Sequence, residues 1–342
     1  MVKKTAKNER KTATSPKNSG NPAKNAFRPS EPKVAVVITN WNGKKDTIEC
    51  IESLEKSSHR NFKIIVVDNG SADNSEADIK AKFPSVDVVH IDQNIGLAAA
   101  NNVGVNAALD LGGVDYVVLA NNDVIFDAAC LKEMVNLTEK HPEVAVATPL
   151  TYFYYDKNRI WSAGIRARFA LDPRSIGLGE IDNGQFKPAY VDAAHCVIMI
   201  RATAFDIVGL FKSEYIVQVE EVEWCLRARQ YGFRTMLVPS AKLWHKVGAT
   251  VGAEDYKPSL VYFITRNWLL AARDLFSLPR YLANVFMFCI VLPLPKLLIF
   301  TKNGKPGLFI HYVRGLIDAL LNRVDTHLAR KTFEAFKQEI KR

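Results

Sequence analysis

The sequence predicts an α/β fold with a mostly parallel central sheet, and three observations carry that expectation. From Lys33 onward, short runs of strand formers alternate with helical segments, the rhythm of a parallel sheet covered by helices. The run Asp115–Ala120 stops abruptly at Asn121-Asn122-Asp123, as a buried strand does when it delivers polar side chains to the carboxyl edge where open sheets bind ligands. The chain has 342 residues, and nearly half are apolar. That is enough for a sizeable core in one large or two modest domains.

The expected strands are Val34–Thr39, Lys63–Val67, Val86–Ile91, Asp115–Ala120 and Val144–Thr148. Between them Thr47–Leu54 places Ile48, Ile51 and Leu54 on one helical face, and Leu97–Leu109 carries small and apolar residues at similar spacing. From Thr151 the rhythm breaks, and residues 151–190, rich in aromatics, Gly and Pro, read as a long irregular insertion. A strand at Cys196–Ile200 and a helix at Ala202–Val208, stopped by Gly209, follow. Then come a strand-like approach at Tyr215–Val219, a helix at Glu221–Tyr231 ended by Gly232, and a strand at Thr235–Val238.

The net charge of +9 is unevenly placed: residues 1–33 carry +7 and residues 301–342 carry +5, leaving the middle at −3. A mildly acidic body is not a nucleic-acid-binding face, and no nucleic-acid partner is expected. Basic ends suit an anionic membrane surface or RNA, and suit a solubilising tail equally well. Residues 1–32 are too polar to bury surface and are expected to form a disordered basic tail. No apolar run follows that basic start, so it does not read as a secretory signal. Five widely spaced cysteines read as buried or free thiols in a reducing compartment.

Residues 276–342 are expected to form an apolar and basic helical region. The segment 281–300 nearly reaches the roughly 20 residues a bilayer span needs, but Pro293, Pro295 and Lys296 interrupt it. An in-plane or re-entrant membrane segment is the favoured reading, ahead of a core helix pair and a single span. Downstream, Phe309, Tyr312, Val313, Leu316, Ile317, Leu320 and Leu321 make an apolar stripe with Arg314, Arg323, Arg330 and Lys331 interspersed or following. That is the composition of an interfacial helix.

Four stations along the chain offer site chemistry. The turn Thr39-Asn40-Trp41-Asn42-Gly43 puts a threonine and an aromatic at a strand end, which suits a nucleobase; no G-x-G-x-x-G marks a dinucleotide fold there. At Asp68-Asn69 an acid and an amide end the next strand, placed to read a base N–H. Asn94-Ile95-Gly96 opens a helix of small residues containing Asn101, whose N-terminus favours phosphate. The fourth is Asn121-Asn122-Asp123, where an oxygen ligand would hold a hard metal ion bridging two phosphates; taken alone, it would serve equally well as a turn capping the next helix. Successive polar strand ends along one sheet are harder to explain as loops than each is singly.

In this order the residues resemble the inverting family-2 glycosyltransferases of GT-A fold, in the branch labelled rhamnosyltransferase-like, over roughly residues 33–275. The resemblance implies a GT-A domain, with Thr39, Asn40, Trp41, Asp68 and Asn69 around the nucleoside and Asn94, Gly96 and Asn101 beside the donor. Asn121-Asn122-Asp123 stands at the family's D-x-D metal motif with Asn for the first Asp, leaving Asp123 as the charged ligand of Mg2+ or Mn2+. His245, read without the family as a structural or surface histidine, then becomes a second candidate for the metal or diphosphate. Tyr262 and the Arg266-Asn267 pair match a recurrent segment of the family, which implies Arg266 as a diphosphate contact.

Gln218–Arg229 resembles the family's E-D-x-D-x-C-x-R segment with Glu for Asp, and places Glu221 as the general base. The helix dipole is expected to keep that carboxylate ionised, while Glu223 and Arg227 form an i,i+4 pair. The implied reaction moves a sugar from a nucleoside-diphosphate donor of UDP or dTDP type to a glycan or lipid-linked acceptor, with residues 151–190 shaping the acceptor side. The implied place is the cytoplasmic face of the cell membrane. A non-catalytic nucleotide-sugar-binding relative and, further off, a sugar nucleotidyltransferase are the alternatives; the latter should show a Gly-rich loop with Arg and Lys where Asn40-Trp41-Asn42-Gly43 stands.

Overall fold

The computed structural model describes residues 31–167, 174–247 and 257–323. The expected basic tail, apart from Glu31 and Pro32, lies outside these residues, as do Arg330 and Lys331. The first half runs β1 (Val34–Asn40), α1 (Lys44–Glu55), β2 (Phe62–Asn69), α2 (Ser75–Lys82), β3 (Asp87–Ile91), α3 (Leu97–Asp110) and β4 (Tyr116–Asn121). Then come β5 (Val124–Phe126), α4 (Cys130–Glu139), β6 (Val144–Phe153), β7 (Asp156–Ser162), β8 (Ile165–Arg166), β9 (Arg174–Ser175) and β10 (Ala189–Val191). The remainder is β11 (Val197–Arg201), α5 (Ala202–Val208), α6 (Glu220–Gln230), β12 (Arg234–His245), α7 (Pro258–Leu275), α8 (Leu278–Phe286), α9 (Pro293–Lys302) and α10 (Leu308–Leu320).

The main sheet has the order β10-β12-β6-β11-β4-β1-β2-β3. Its β3-β2-β1-β4 half is parallel, β11 is antiparallel to both its neighbours, and β12 is parallel to β6. Pleating divides the core between two faces. Val34, Val36 and Ile38 pack with Cys50, Ile51 and Leu54 of α1 and Met134 of α4. Ala35 and Val37 pack with Ala98 and Val105 of α3 and with Trp224 and Trp268 of α6 and α7. Helices therefore cover both faces, as the alternation predicts. Gly104 lets α3 come close: a Cβ there would lie 2.2 Å from Val37 Cγ1.

Two expectations change. Residues 151–190 are not irregular throughout: β6 continues to Phe153 and pairs with β7, β8 pairs with β9, and β10 pairs with β12. Tyr215–Val219 is not strand-like, because Ile216, Gln218 and Val219 all have positive φ, of 63°, 71° and 74°.

The greasy segment 281–300 forms α8, a π-helical turn at Met287–Val291 and α9, with a bend of 45° between the two halves. Among the described residues no single helix is long and apolar enough to cross a membrane; the bent pair passes that test by length and composition alone. The inner sides of these helices and of α10 join the main core through Phe288, Phe300, Leu308, Tyr312, Leu316 and Ala319. On the outer side Leu278, Leu282, Phe286, Ile290, Leu294 and Leu298 are exposed at intervals of four residues.

Candidate active site

Register places the predicted stations side by side. Asn40 of β1 lies opposite Asp68 of β2, and Thr39 lies opposite Asn121 of β4, all at the carboxyl edge of the sheet. Most of their amides turn inward. Asn40 is fully buried; its Nδ2 donates to Asp68 Oδ1 at 2.9 Å, and its Oδ1 accepts from Gly43 N and Thr47 Oγ1. Asn122 Nδ2 donates to Gly43 O and Thr47 Oγ1, and Thr39 Oγ1 donates to Asn101 Oδ1 at 2.8 Å. Asn69 accepts from Ile95 N and donates to Asn94 Oδ1.

This differs from the expectation for Asn40, Asn69 and Asn122: their polar atoms build the floor of the edge, tying β1 to β2, β2 to the Asn94–Gly96 turn, and the 121–123 turn to α1. A buried amide costs on the order of 1–3 kcal/mol if left unpaired, which is why they pair with one another. Trp41, Asn94 and Asn121 are half-buried at the same rim. Neither Trp41 nor the Asn121 side chain has a hydrogen-bond partner among the described residues, so both can meet a ligand.

The N-terminus of α3 is also partly spoken for. Gly96 N–H donates to Asn94 Oδ1, and Ala98 N–H donates to the Ile216 carbonyl. The phosphate site expected on this helix is narrowed accordingly.

Asp123 and His245 meet, though 122 positions apart in sequence. Strand β12 pairs with β5, putting His245 opposite Val124, and His245 Nε2 stands 3.1 Å from Asp123 Oδ1. Both are buried, and His245 Nδ1 is buried without a hydrogen-bond partner among the described residues. A carboxylate and an imidazole side by side are a donor set that fits a divalent cation. Lys246 braces this turn: its N–H donates to the Asp123 carbonyl, and its ammonium bonds Asp46 and, at 2.6 Å, Glu49. Trp161 packs edge-on against His245 and stacks on His195, with ring centroids 4.4 Å apart in each pair. Burial, and then His245, push the His195 imidazole down to about 3, so it is neutral. A second group of ligand atoms, from Asp68, Glu76 and His90, lies at the β2–β3 end.

Glu220 and Glu221 open α6. Glu221 Oε2 accepts from Cys196 N–H at 3.1 Å, while the Cys196 carbonyl accepts from Asn121 N–H at 3.1 Å. One residue, left-handed at φ 71°, thus links the Glu221 carboxylate to the Asn121–Asp123 turn. Glu220 is 2% exposed, and its Oε2 has no hydrogen-bond partner among the described residues. Burial raises both carboxyls above their usual range, and for Glu221 the neighbouring Glu220 adds to it. Helix dipole alone was expected to keep Glu221 ionised; desolvation outweighs it. Glu223 and Arg227 do form the i,i+4 pair, at 2.9 Å.

Arg266 does not open to the donor edge. It is fully buried, and Nη1 donates to the Glu214 carbonyl and to Asn267 Oδ1. Cys196, His195, Trp161 and Lys246 join the site without having been singled out from sequence; Lys246 adjoins His245, and nothing local marks the other three. Asn267 was marked in sequence only as the partner of Arg266 in a family-like pair, with no role of its own.

A parallel β-α-β half joined through the antiparallel β11 to a mixed half, with a carboxylate–imidazole pair after β4 and a buried acid at a helix start, is the arrangement of a transferase of GT-A fold. Residues 35–208 match the family described as Glycosyl transferase family 2, and the chain belongs to it; it is a glycosyltransferase. It is 30% identical over 249 residues to the uncharacterized protein y4gI of Sinorhizobium fredii, covering 66% of this chain but only 25% of that protein. It is 23% identical over 256 residues to the dTDP-rhamnosyl transferase RfbF of Shigella flexneri, covering 70% of this chain and 80% of that one. The fold is shared with a crystal structure of GalNAc-T7 with UDP, GalNAc and Mn2+, at a TM-score of 0.58 and 17% identity over 72% of this chain and 48% of that one.

Proposed function

We propose that this glycosyltransferase inverts the anomeric carbon of a sugar carried on a UDP or dTDP type donor and passes it to a glycan or lipid-linked hydroxyl. The observation that carries this reading is the Glu221–Cys196–Asn121 link, which sets a carboxylate beside the metal turn. Glu221 Oε2 is held by the Cys196 N–H, leaving Oε1 to accept the acceptor hydroxyl's proton. As that oxygen bonds to the anomeric carbon from one face, the bond to the diphosphate oxygen breaks on the other, and the nucleoside diphosphate leaves with the electron pair. Asp123 and His245 would hold Mg2+ or Mn2+, which stabilises the charge developing on the diphosphate. Trp41 and Asn94 line the nucleoside side.

The enzyme works docked on an anionic membrane surface, at the cytoplasmic face. Supporting this, residues 275–317 contain five Lys/Arg and no Asp/Glu, beside the exposed apolar row from Leu278 to Leu298.

The test is hydrolysis of a panel of nucleotide sugars with Mn2+, Mg2+ or chelator. One donor turned over in a metal-dependent way is the expected result. Binding of a nucleotide without turnover of any donor, with or without candidate glycan acceptors, would instead make the chain a non-catalytic relative.

A further inference from the structure

The segment before Glu220 is the most strained backbone at the site. Val217 N–H donates to the Tyr215 carbonyl at 2.6 Å, closing a γ-turn on Ile216 at φ 63° and ψ −64°. This is the rarer, strained form of that turn. Gln218 and Val219 follow, also left-handed. Such residues cost on the order of 1–3 kcal/mol each and persist only where the surroundings over-determine them. Two of the three are β-branched, for which positive φ is least favourable.

The side chain that meets most of this segment is Asn267, which lies in the middle of α7 and is fully buried. Its Nδ2 stands 2.8, 2.9 and 2.8 Å from the carbonyl oxygens of Tyr215, Val217 and Gln218. Its Oδ1 accepts from Arg266 Nη1 at 2.7 Å, so the amide cannot flip without facing oxygen to oxygen. Arg266 also takes the Glu214 carbonyl. From the opposite side, α3 holds the same loop. Ala98 N–H donates to the Ile216 carbonyl, and Asn102 both accepts from Phe211 N and donates to Phe211 O. Gly96 is what allows that approach, since a Cβ there would lie 2.9 Å from the Ile216 oxygen.

We infer that Asn267 is a positioning residue for catalysis: it holds the 215–219 loop in its strained form and so sets where Glu220 and Glu221 stand. The link is short. Val219 is the N-cap of α6, and its carbonyl accepts the first helical bond, from Glu223 N–H at 2.7 Å. Letting Val219 relax to negative φ would swing the helix start that carries both carboxyls. A displacement near 1 Å costs on the order of 10²-fold in rate, whereas the nucleoside side, on β1 and β2, would be untouched. This inference rests on Glu221 as base.

The test uses full-length protein, turnover of whichever nucleotide sugar the panel above hydrolyses fastest, UDP and dTDP binding by calorimetry, and amide exchange over residues 215–223. Asn267→Asp keeps the shape but faces a carboxylate to three carbonyls; Asn267→Ser keeps one donor and is the gentler change. Either should speed exchange in 215–223, lower kcat by about 10- to 100-fold and leave nucleotide affinity within about twofold. Adding Val219→Gly, which occupies left-handed φ at little cost, should recover most of the kcat lost in Asn267→Ser. Faster exchange with unchanged kcat, or no recovery by glycine, would overturn the positioning role and leave Asn267 as packing. Failure of the base reading shows separately, as wild-type turnover in Glu221→Gln.

Discussion

At Glu221 two effects on one carboxyl compete, and their balance predicts pH behaviour. Burial and the adjacent Glu220 raise it above the ordinary carboxylate range. As a base it works only when ionised, so kcat/KM should rise with pH along a limb displaced above the usual value of about 4.3. Glu221→Gln should cost on the order of 10²–10⁴-fold in kcat with donor affinity near wild type. Glu220→Gln should cost less and move the limb to lower pH, because it removes the like charge. An unmoved limb in Glu220→Gln would mean that the pair does not interact. The same shifts have a stability sign. Groups whose folded values are raised hold protons more tightly when folded, so their contribution is full below the unfolded value and is lost as pH rises through the folded one. Melting temperature should therefore fall between mildly acidic and mildly alkaline pH, and fall less in Glu220→Gln.

Asp123 poses a simpler question at the same scale. It is the only carboxylate in its turn and lies 3.1 Å from His245 Nε2. Asp123→Ala should abolish transfer while far-ultraviolet dichroism stays native. Turnover insensitive both to this change and to a chelator would remove the metal from the reading.

Among the elements, what was legible in the sequence tracks how local the cause is. Helix α5 ends at Val208 because Gly209 takes φ 82°, a fact carried by neighbouring residues alone. The buried strands announce themselves by composition. Strands β7 to β10 did not: β8 and β9 are only two residues long, β7 pairs with β6 through register shifts, and the short β10 has its partner β12 far along the chain. Ile216 to Val219 misled for the opposite reason. Three β-branched residues in a short stretch argue for a strand, yet contacts from α3 and α7 impose turns of positive φ. Likewise, composition marks Asn40, Asn69 and Asn122 as polar strand ends, but only the packed neighbours decide that their amides face inward.

The close contact of α3 with β1 is testable. Gly104→Ala would place a methyl 2.2 Å from Val37 Cγ1 and 3.0 Å from Val67 Cγ2. Overpacking of this kind costs typically about 1–3 kcal/mol, against a gain of up to about 1 kcal/mol in helix propensity. A lower denaturation midpoint at unchanged slope is expected; a stabilised variant would mean that α3 shifts freely off the sheet.

The helix pair α8–α9 has its own prediction. Leu282, Phe286 and Ile290 are more than half exposed, so replacing all three by Glu leaves the core intact. Wild-type protein should sediment with anionic vesicles and release as salt rises, since each nearby Lys or Arg contributes about 1 kcal/mol. The triple variant should stay in the supernatant with turnover of a soluble donor preserved. Wild-type protein that ignores such vesicles would sink the membrane reading.

At the scale of the whole molecule, the apolar C-terminal helices and the catalytic domain are one packed object. Helix α10 lies along α7, with Tyr262 Oη donating to Asp318 Oδ2 at 2.7 Å and Gly315 letting the two backbones approach. Phe288, Phe300, Leu308, Tyr312 and Leu316 sit in the same core as Trp268 and Leu269. Burying such side chains contributes about 1.5–3 kcal/mol each, so these five contribute roughly 8–15 kcal/mol. That is as large as the whole net stability of a typical domain, about 5–15 kcal/mol. Ending the chain after Asp274 would therefore not yield a soluble catalytic domain released from a membrane anchor. It would uncover the apolar side of α7, the helix from which Asn267 holds the loop before Glu220. The truncated chain should aggregate or lose its cooperative melting transition, and it should be inactive even in detergent. A soluble, cooperatively folded and active product of that truncation would show that α10 is an appendage after all, and that the base is positioned without it.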